Sequence, residues 1–323
     1  DCEISFSAQL REHIGHHIYG DRWANNIKGV LSREELLDRP LHIISANLHS
    51  VVNTIYSGLA LPKLAELSLV DRVIEASKPE HQGKLQEKIF QYARKNGLVE
   101  IPDSSGTNLV VQLIDTARVK GYENRKDAPV ILVMDYAFGE QAFECMDELL
   151  KPYELEDEHS FNLNAQSIAV MGKAGILYGD KGDIMIPDAH VFEGTADNYP
   201  FDNIFENKDF EGHGLGVYQG PMITVLGTSL QNRNVLEHFR ASTWNAIGIE
   251  MEGAHYQKAI QSASKIRKSI PSHVKLMYAY YASDNPLLTG KTLASGSLGP
   301  EGIKPTYLIT QKILEKMLHR PEQ

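Results

Sequence analysis

Hydrophobic positions recur along this chain in two rhythms. From residue 1 to about residue 122 they fall at three- and four-residue steps, the period of a helix face. Leu41, Ile44, Leu48, Val51, Val52 and Ile55 make one such face. Ser32-Arg33-Glu34-Glu35 precedes it and reads as a capping box, serine and glutamate satisfying each other's free backbone N–H groups. Pro62 opens another helix, with Leu64, Leu67, Val70 and Val73 following. Lys84 to Arg94 gives a third, stopped by Asn96-Gly97. Thr107 caps a last one, with Leu109, Val110, Leu113, Ile114 and Ala117 on its apolar side. The pattern predicts an all-helical N-terminal module over residues 1–126, of open role.

Beyond the polar stretch 121–128 the rhythm changes. Val130 to Val133 suits a buried parallel strand, and Gly139 to Leu150 a helix. Ser167 to Val170 reads as a second strand closed by a turn at Gly172-Lys173-Ala174-Gly175. Asp183 to Ile186 is a third strand and Met222 to Leu226 a fourth, followed by a helix over Asn232 to Ala241. Between them, residues 190–219 are rich in Asp, Asn and Gly, a loop long enough to be functional. Ala246 to Ile249 is a strand running into Glu250-Met251-Glu252-Gly253 and a helix to about Arg267. Val274 to Ala282 is a strand ending in Ser283-Asp284-Asn285-Pro286, and Ile303 to Leu318 closes the chain. Strands alternating with helices predict an α/β domain over 127–323, its mostly parallel central sheet covered by helices on both faces. Ligands of such sheets bind beyond the carboxyl ends of the strands, so the acidic clusters at 250–252 and 284 can share one pocket.

Composition narrows the classes. With 323 residues, 42% hydrophobic and 23% charged, the chain has the make-up of a globular protein. A formal charge of −10 argues against a nucleic-acid partner, which wants a basic face, while leaving room for a local basic pocket. Cys2 and Cys145 are far apart, which fits a reducing, cytoplasmic setting without a disulfide framework. The sequence has no apolar run of about 18 residues, so no membrane span is expected. His13 and His17 are spaced as two metal ligands on one helix face would be. No acidic or cysteine partner stands at useful spacing, so these and His16, His42 and His49 read as solvated or structural.

Three segments, in order, carry a resemblance to a known family: Gly172-Lys173-Ala174-Gly175 with Gly182-Asp183-Ile184-Met185-Ile186; Ile249-Glu250-Met251-Glu252-Gly253; and Ala282-Ser283-Asp284. They are similar to the Gly-rich turn and "GD-apolar" strand, the "V-E/D-M-E-G/A" segment and the "S-D" strand end of the nucleoside phosphorylase / nucleosidase superfamily. The likeness covers roughly 128–320. Ser283-Asp284-Asn285-Pro286-Leu287 with Gly290, and Arg233-Asn234 with Glu237 after a strand ending near Thr228, look most like bacterial AMP nucleosidases. The N-terminal domain of those enzymes is mixed α/β, so residues 1–126 depart from the pattern.

The resemblance implies hydrolysis of the N-glycosidic bond of a purine nucleotide or nucleoside, AMP-like, to free base plus ribose or ribose 5-phosphate. Asp284 would be the acid that protonates the purine at N7, a role that needs a carboxyl raised toward neutrality by burial. The plainer reading of Asp284 is a Ser-Asp helix cap. Glu252 would accept the ribose 2′ and 3′ hydroxyls, binding the sugar more strongly as it becomes electron-poor. Met251 would pack under the ribose, or simply be a core methionine. Glu140, with Asp135 in reserve, would activate water from the end of the first strand. Glu250 reads as a surface or helix-N-terminal carboxylate.

Lys173, beside Ala174 and Gly175 in the substrate-binding turn, could be a point charge for phosphate or a solvent-facing lysine. Arg233 and Arg240 are further phosphate candidates, and Asn234 or Gln231 could read the base edge. The resemblance implies no metal and no organic cofactor, a small-molecule purine partner and a homo-oligomer. Two other readings compete. One is a purine nucleoside phosphorylase, which would hold phosphate with arginine and serine or threonine. The other is a catalytically silent nucleotide sensor, which the presence of both Glu252 and Asp284 argues against. A helical scaffold joined to an unrelated α/β domain would have to produce three ordered motifs by chance.

Overall fold

Proline cannot donate to a helix and drives the residue before it into extended backbone. Pro40 stands directly before Leu41–Ser45, and in the computed structural model that run is a strand, β1, rather than the expected helix. The structure describes residues 7, 10, 17–122, 127–154, 160–195, 197–227, 232–289 and 299–318. Its first long helix, α1, is Ile18–Arg33. The residues read as a capping box close this helix instead: Glu34 N–H returns to Val30 O, and Glu35 turns the chain with φ +57°.

The remaining N-terminal elements mix helices with strands. Helix α2, Leu48–Ala60, starts on Asn47, whose Oδ1 accepts Ser50 N–H at 3.2 Å. Pro62–Leu64 makes a short 3-10 turn. Helix α3, Leu69–Ala76, starts on Ser68, whose Oγ accepts Asp71 N–H at 3.1 Å. Helix α4, Lys84–Lys95, ends at Asn96-Gly97 as expected. Only glycine suits the turn there, since φ is +102° and a Cβ would lie 2.4 Å from Asp115 O. The helix expected after Thr107 is instead part of an antiparallel pair, β2 (Leu98–Ile101) with β3 (Val111–Asp115). Short apolar runs fit either period, and pairing decides between them. The all-helical module is thereby corrected to a mixed one.

Strand β4, Val130–Met134, is followed by α5, Gln141–Leu149, and by a two-stranded ribbon of β5 (Tyr153–Glu154) and β6 (Ser160–Phe161). Next come β7 (Ala165–Ile176), β8 (Ile184–Phe192), β9 (Asn198–Pro200), β10 (Val217–Thr224), α6 (Arg233–Ala241) and β11 (Gly248–Glu250). Helix α7, Gly253–Gln261, runs on into a π turn at Ser262–Arg267. Strand β12 (Lys275–Asp284), the short α8 (Pro286–Thr289) and α9 (Ile303–Met317) complete the described chain. The segment expected as a turn at 172–175 lies inside the twelve-residue β7.

The main sheet runs β11-β10-β8-β12-β7-β1-β4-β3-β2, with β9 on β8. Strand β1 lies between β4 and β7, parallel to both, so strands from either side of residue 126 share one sheet. The sheet is mixed, not mostly parallel: β2–β3, β3–β4, β8–β9, β8–β12 and β7–β11 are antiparallel. The pairing of β11 back onto β7 closes β7-β12-β8-β10-β11 into a barrel. Side chains alternate across the sheet with period two. On β1, Ile43 joins a core with Trp23, Ile27, Met146 and Ile260 of α1, α5 and α7. Its neighbour Ile44 joins the opposite core with Val51, Tyr56, Ile89 and Ile309 of α2, α4 and α9.

Candidate active site

The second half of β7 is where the chain's acidic segments meet. Gly175 pairs with Ile249 of β11 on one side and with Asp284 of β12 on the other. Glu250-Met251-Glu252 and Ser283-Asp284 therefore flank one short piece of strand.

Glu250 is buried. Its Oε2 accepts the N–H of Glu252 at 2.6 Å and that of Gly253, and Thr224 Oγ1 hydrogen-bonds its Oε1. These bonds satisfy free N–H groups at the start of α7. Of the two expectations for Glu250, the helix-N-terminal one describes its place and the surface one does not. Burial, then the charge of Glu252, pushes its carboxyl up to about 8, although three donors pull the other way. Glu252 is half-buried, and its Oε1 accepts Gly139 N–H at 3.1 Å. Burial raises its carboxyl too, with the N–H groups of Gly139 and Met251 opposing.

Both glutamates and Met251 line a cavity of about 850 Å³. Its other walls come from the end of β1 and the start of α2 (Ser45, Asn47, His49, Ser50, Asn53), from Tyr136–Phe138 after β4, and from α3, α4 and α9. Asp284 lines a second cavity of about 630 Å³, with Lys181, Asn285 and Lys304 among its walls, so the two acidic clusters flank one strand but do not share one cavity as the sequence led us to expect. Asp284 is 1% exposed. Ser283 Oγ donates to its Oδ1 at 2.7 Å, while Oδ2 has no partner among the described residues. Burial raises the carboxyl; the Ser283 hydroxyl and the charges of Lys181 and Lys173 restrain it. Lys173 is exposed and lines the larger cavity, and its charge is one of those that restrain Asp284.

Other expected residues are placed differently. Ala174 and Gly175 are buried strand residues outside both cavity walls; Ala174 contributes its carbonyl to Ser283 Oγ at 3.1 Å. Glu140 is exposed at the start of α5 and does not line either cavity. Asp135 is half-buried, with Oδ1 taken by Tyr136 N–H at 2.9 Å. The strand they follow is fourth in the chain; the first, β1, ends in hydroxyl, amide and imidazole groups without a carboxylate. Arg233 and Asn234 are exposed on α6, Arg233 paired with Glu237 at 2.8 Å, and neither reaches a cavity. Arg240 stacks over Tyr178 at 5.9 Å. Gln231, Gly290, Thr228, His13, His16 and Cys2 lie outside the described residues. His42 is buried against Ser167 Oγ at 2.7 Å, and His17 and His49 pack edge-on against Phe143 and Phe90.

The model of a family of unknown function, DUF6909, matches residues 74–319. The chain belongs to that family. No curated protein matches it in sequence. Among solved structures, the DUF6909 chain is similar to the Campylobacter jejuni 5′-methylthioadenosine/S-adenosyl homocysteine nucleosidase, with a TM-score of 0.51 at 12% identity over 86% of this chain and 98% of that one. It is also similar to a Helicobacter pylori MTAN, with a TM-score of 0.51 at 11% identity over 87% of this chain and 100% of that one. At these identities the likeness establishes the nucleosidase fold and does not single out AMP nucleosidase. Among the described residues, no helix of this DUF6909 protein is long and apolar enough to cross a membrane.

The sequence reading missed the wall made by Ser45, Asn47, Ser50 and Asn53. The available signal was local: Pro40, a five-residue apolar run, then an Asn cap before an apolar-periodic stretch.

Proposed function

We propose that this protein is an N-ribosyl hydrolase acting on a purine nucleoside or nucleotide. The observation that carries the reading is the convergence on Gly175 of the Glu252 and Asp284 segments, both with carboxyls raised by burial. In this reading the ribose lies at Glu252 and Met251, and the base is directed to Asp284. Asp284, protonated, gives its proton to the purine nitrogen as the C–N bond breaks, and the bond's electron pair leaves with the base. Glu252 accepts the ribose hydroxyls and stabilises the electron-poor sugar. A water adds to the sugar's anomeric carbon and releases its proton to solvent, giving free ribose or ribose 5-phosphate. The likeness to two structures named as nucleosidases supports this fold for that chemistry.

The phosphorylase reading needs a site for inorganic phosphate. Forked arginine contacts are the usual means, and among the described residues lining the larger cavity Lys173 is the cation and no arginine is present. That favours water. Incubating the protein with AMP, adenosine and 5′-methylthioadenosine, with and without phosphate, tests the reading by chromatography. Free purine and a reducing sugar without phosphate is the expected result. Purine released only when phosphate is added would make the enzyme a phosphorylase, and binding without release would make it a sensor.

A further inference from the structure

We propose that residues 62–81 are a hinged lid on the larger cavity, one that lifts to admit a small molecule and is shut in this structure. The segment comprises the turn Pro62–Leu64, helix α3 and a second 3-10 turn, Pro79–His81. It gives Val73 and Ser77 to the cavity wall. Within it only Val73 and Ala76 are buried; the rest is exposed or half-buried. Segments with so few buried contacts are the ones that open locally while the remainder of a fold stays intact. The segment is also braced to move as one piece. Arg72 Nε donates to Leu64 O at 3.1 Å, and its Nη2 donates to Ala65 O at 3.0 Å and to Leu67 O at 2.8 Å. Lys78 pairs with Glu75 at 2.7 Å across the next turn. All of these partners lie inside the segment and travel with it.

Each end of the segment has a hinge. Gln82 and Gly83 are consecutive left-handed residues, with φ +49° and +73°, and a Cβ at Gly83 would meet nothing within 4 Å among the described residues. Such a pair absorbs a backbone rotation that a continuous helix resists. At the other end Leu61 leaves α2 with φ −122° and ψ 69°, and Pro62 lacks the N–H that would carry the helix on. Two neutral side-chain hydrogen bonds fasten the segment to the body. Arg72 Nη1 donates to Ser57 Oγ of α2 at 3.2 Å, and Gln86 Nε2 of α4 donates to Ser77 Oγ at 2.8 Å. Gln86 belongs to the fixed side, because Ile89 and Ala93 bury α4 in the core with Tyr56. Ala76 seats in that same core, and Val73 borders the cavity. Lifting the lid therefore breaks two neutral bonds and uncovers two small apolar side chains, leaving the sheet as it is.

The test reads the lid directly. Amide hydrogen exchange on the wild type compares α3 with α2, and α3 is expected to exchange about tenfold faster or more. Val73→Cys places a thiol where the shut lid buries it. A bulky aromatic disulfide labels that thiol on opening, and peptide mass spectrometry separates it from Cys2 and Cys145. Adding Ser77→Ala or Ser57→Ala removes one fastening and should speed labelling about two- to tenfold, the worth of one neutral hydrogen bond, with the melting temperature little changed. Adenosine, bound to Asp284→Asn carrying Val73→Cys, should slow the labelling. Exchange of α3 no faster than that of α2 would overturn the lid, and needs no variant to fold. Labelling that ignores both serine substitutions would overturn it as well, as would adenosine that binds, by calorimetry, without slowing the reagent. A protein with fast α3 exchange that binds no adenosine would keep the lid and lose the nucleosidase reading.

Discussion

Glu250 holds Glu252 in place by accepting its backbone N–H at 2.6 Å. The first carboxylate of the Glu-Met-Glu segment therefore caps α7 while bordering the cavity, and the second, half-buried, is the more open of the two. This arrangement has a pH signature. Glu250 rises from an ordinary 4.5 to about 8 in the folded protein, through burial first and the Glu252 charge second. Between those values the folded state keeps a proton that the unfolded chain releases. Its contribution to stability is present in full below about pH 4.5 and is lost as pH rises through about 8. Buried His42 and His190, lowered to about 4 and about 3, slope the other way below pH 6.5. The comparison that isolates Glu250 is thus wild type against Glu250→Gln. Urea midpoints measured from pH 5 to pH 9 should fall more steeply in the wild type; parallel curves would sink the assignment.

Asp284 and Glu252 should fail differently when neutralised. Asp284→Asn removes the proton donor and leaves the shape, so base release should drop by about 10²- to 10⁴-fold with nucleoside binding little changed. Glu252→Gln removes an acceptor that matters most at the electron-poor sugar. There kcat and kcat/KM should fall together, by about ten- to a hundredfold, the worth of a hydrogen bond to a charged group. Steady-state kinetics at pH 7 on both variants, with unfolding midpoints to check the fold, distinguishes the two. A Glu252→Gln variant with raised KM and unchanged kcat would mean that Glu252 only holds the ground state.

The two halves of the site were unequally legible in the sequence. Glu252 and Asp284 follow apolar runs with distinct turn chemistry, and those runs are β11 and β12. Their meeting at Gly175 depends on register, which local pattern does not carry. Leu41 to Ile55 satisfied a helical spacing across what is in fact a strand, a cap and a helix, and Pro40 was the overlooked breaker. That misreading hid β1 at the middle of the sheet and, with it, the far wall of the cavity. Asn53, Ser77, Gln86 and Tyr307 belong to no motif; packing alone brings them together. Glu140 and Arg233 illustrate the converse, charged residues at motif-like spacing that face solvent.

Gly253 is fixed by what lies beneath it. A Cβ there would meet the ring of His190 at 2.2 Å from Cδ2 and 2.3 Å from Nε2, and Glu250 Oε1 at 2.9 Å. His190 has no room to yield: it is fully buried, stacked on Phe201 with centroids 5.2 Å apart and tilted against Tyr278 at 4.9 Å. Gly253→Ala must therefore push α7 outward or break the Glu250 cap, a cost of about 1–3 kcal/mol for overpacking a tight core. The same shift moves Glu252, one residue earlier, so activity should fall along with the melting temperature. Gly227→Ala is the matched control, since a Cβ there meets nothing within 4 Å among the described residues; its melting temperature should stay near that of the wild type, within about 0.5 kcal/mol of stability. Calorimetric melting of the three proteins in one buffer is the check. A Gly253→Ala variant as stable as the control would mean that His190 is not packed against α7 in the way this geometry requires.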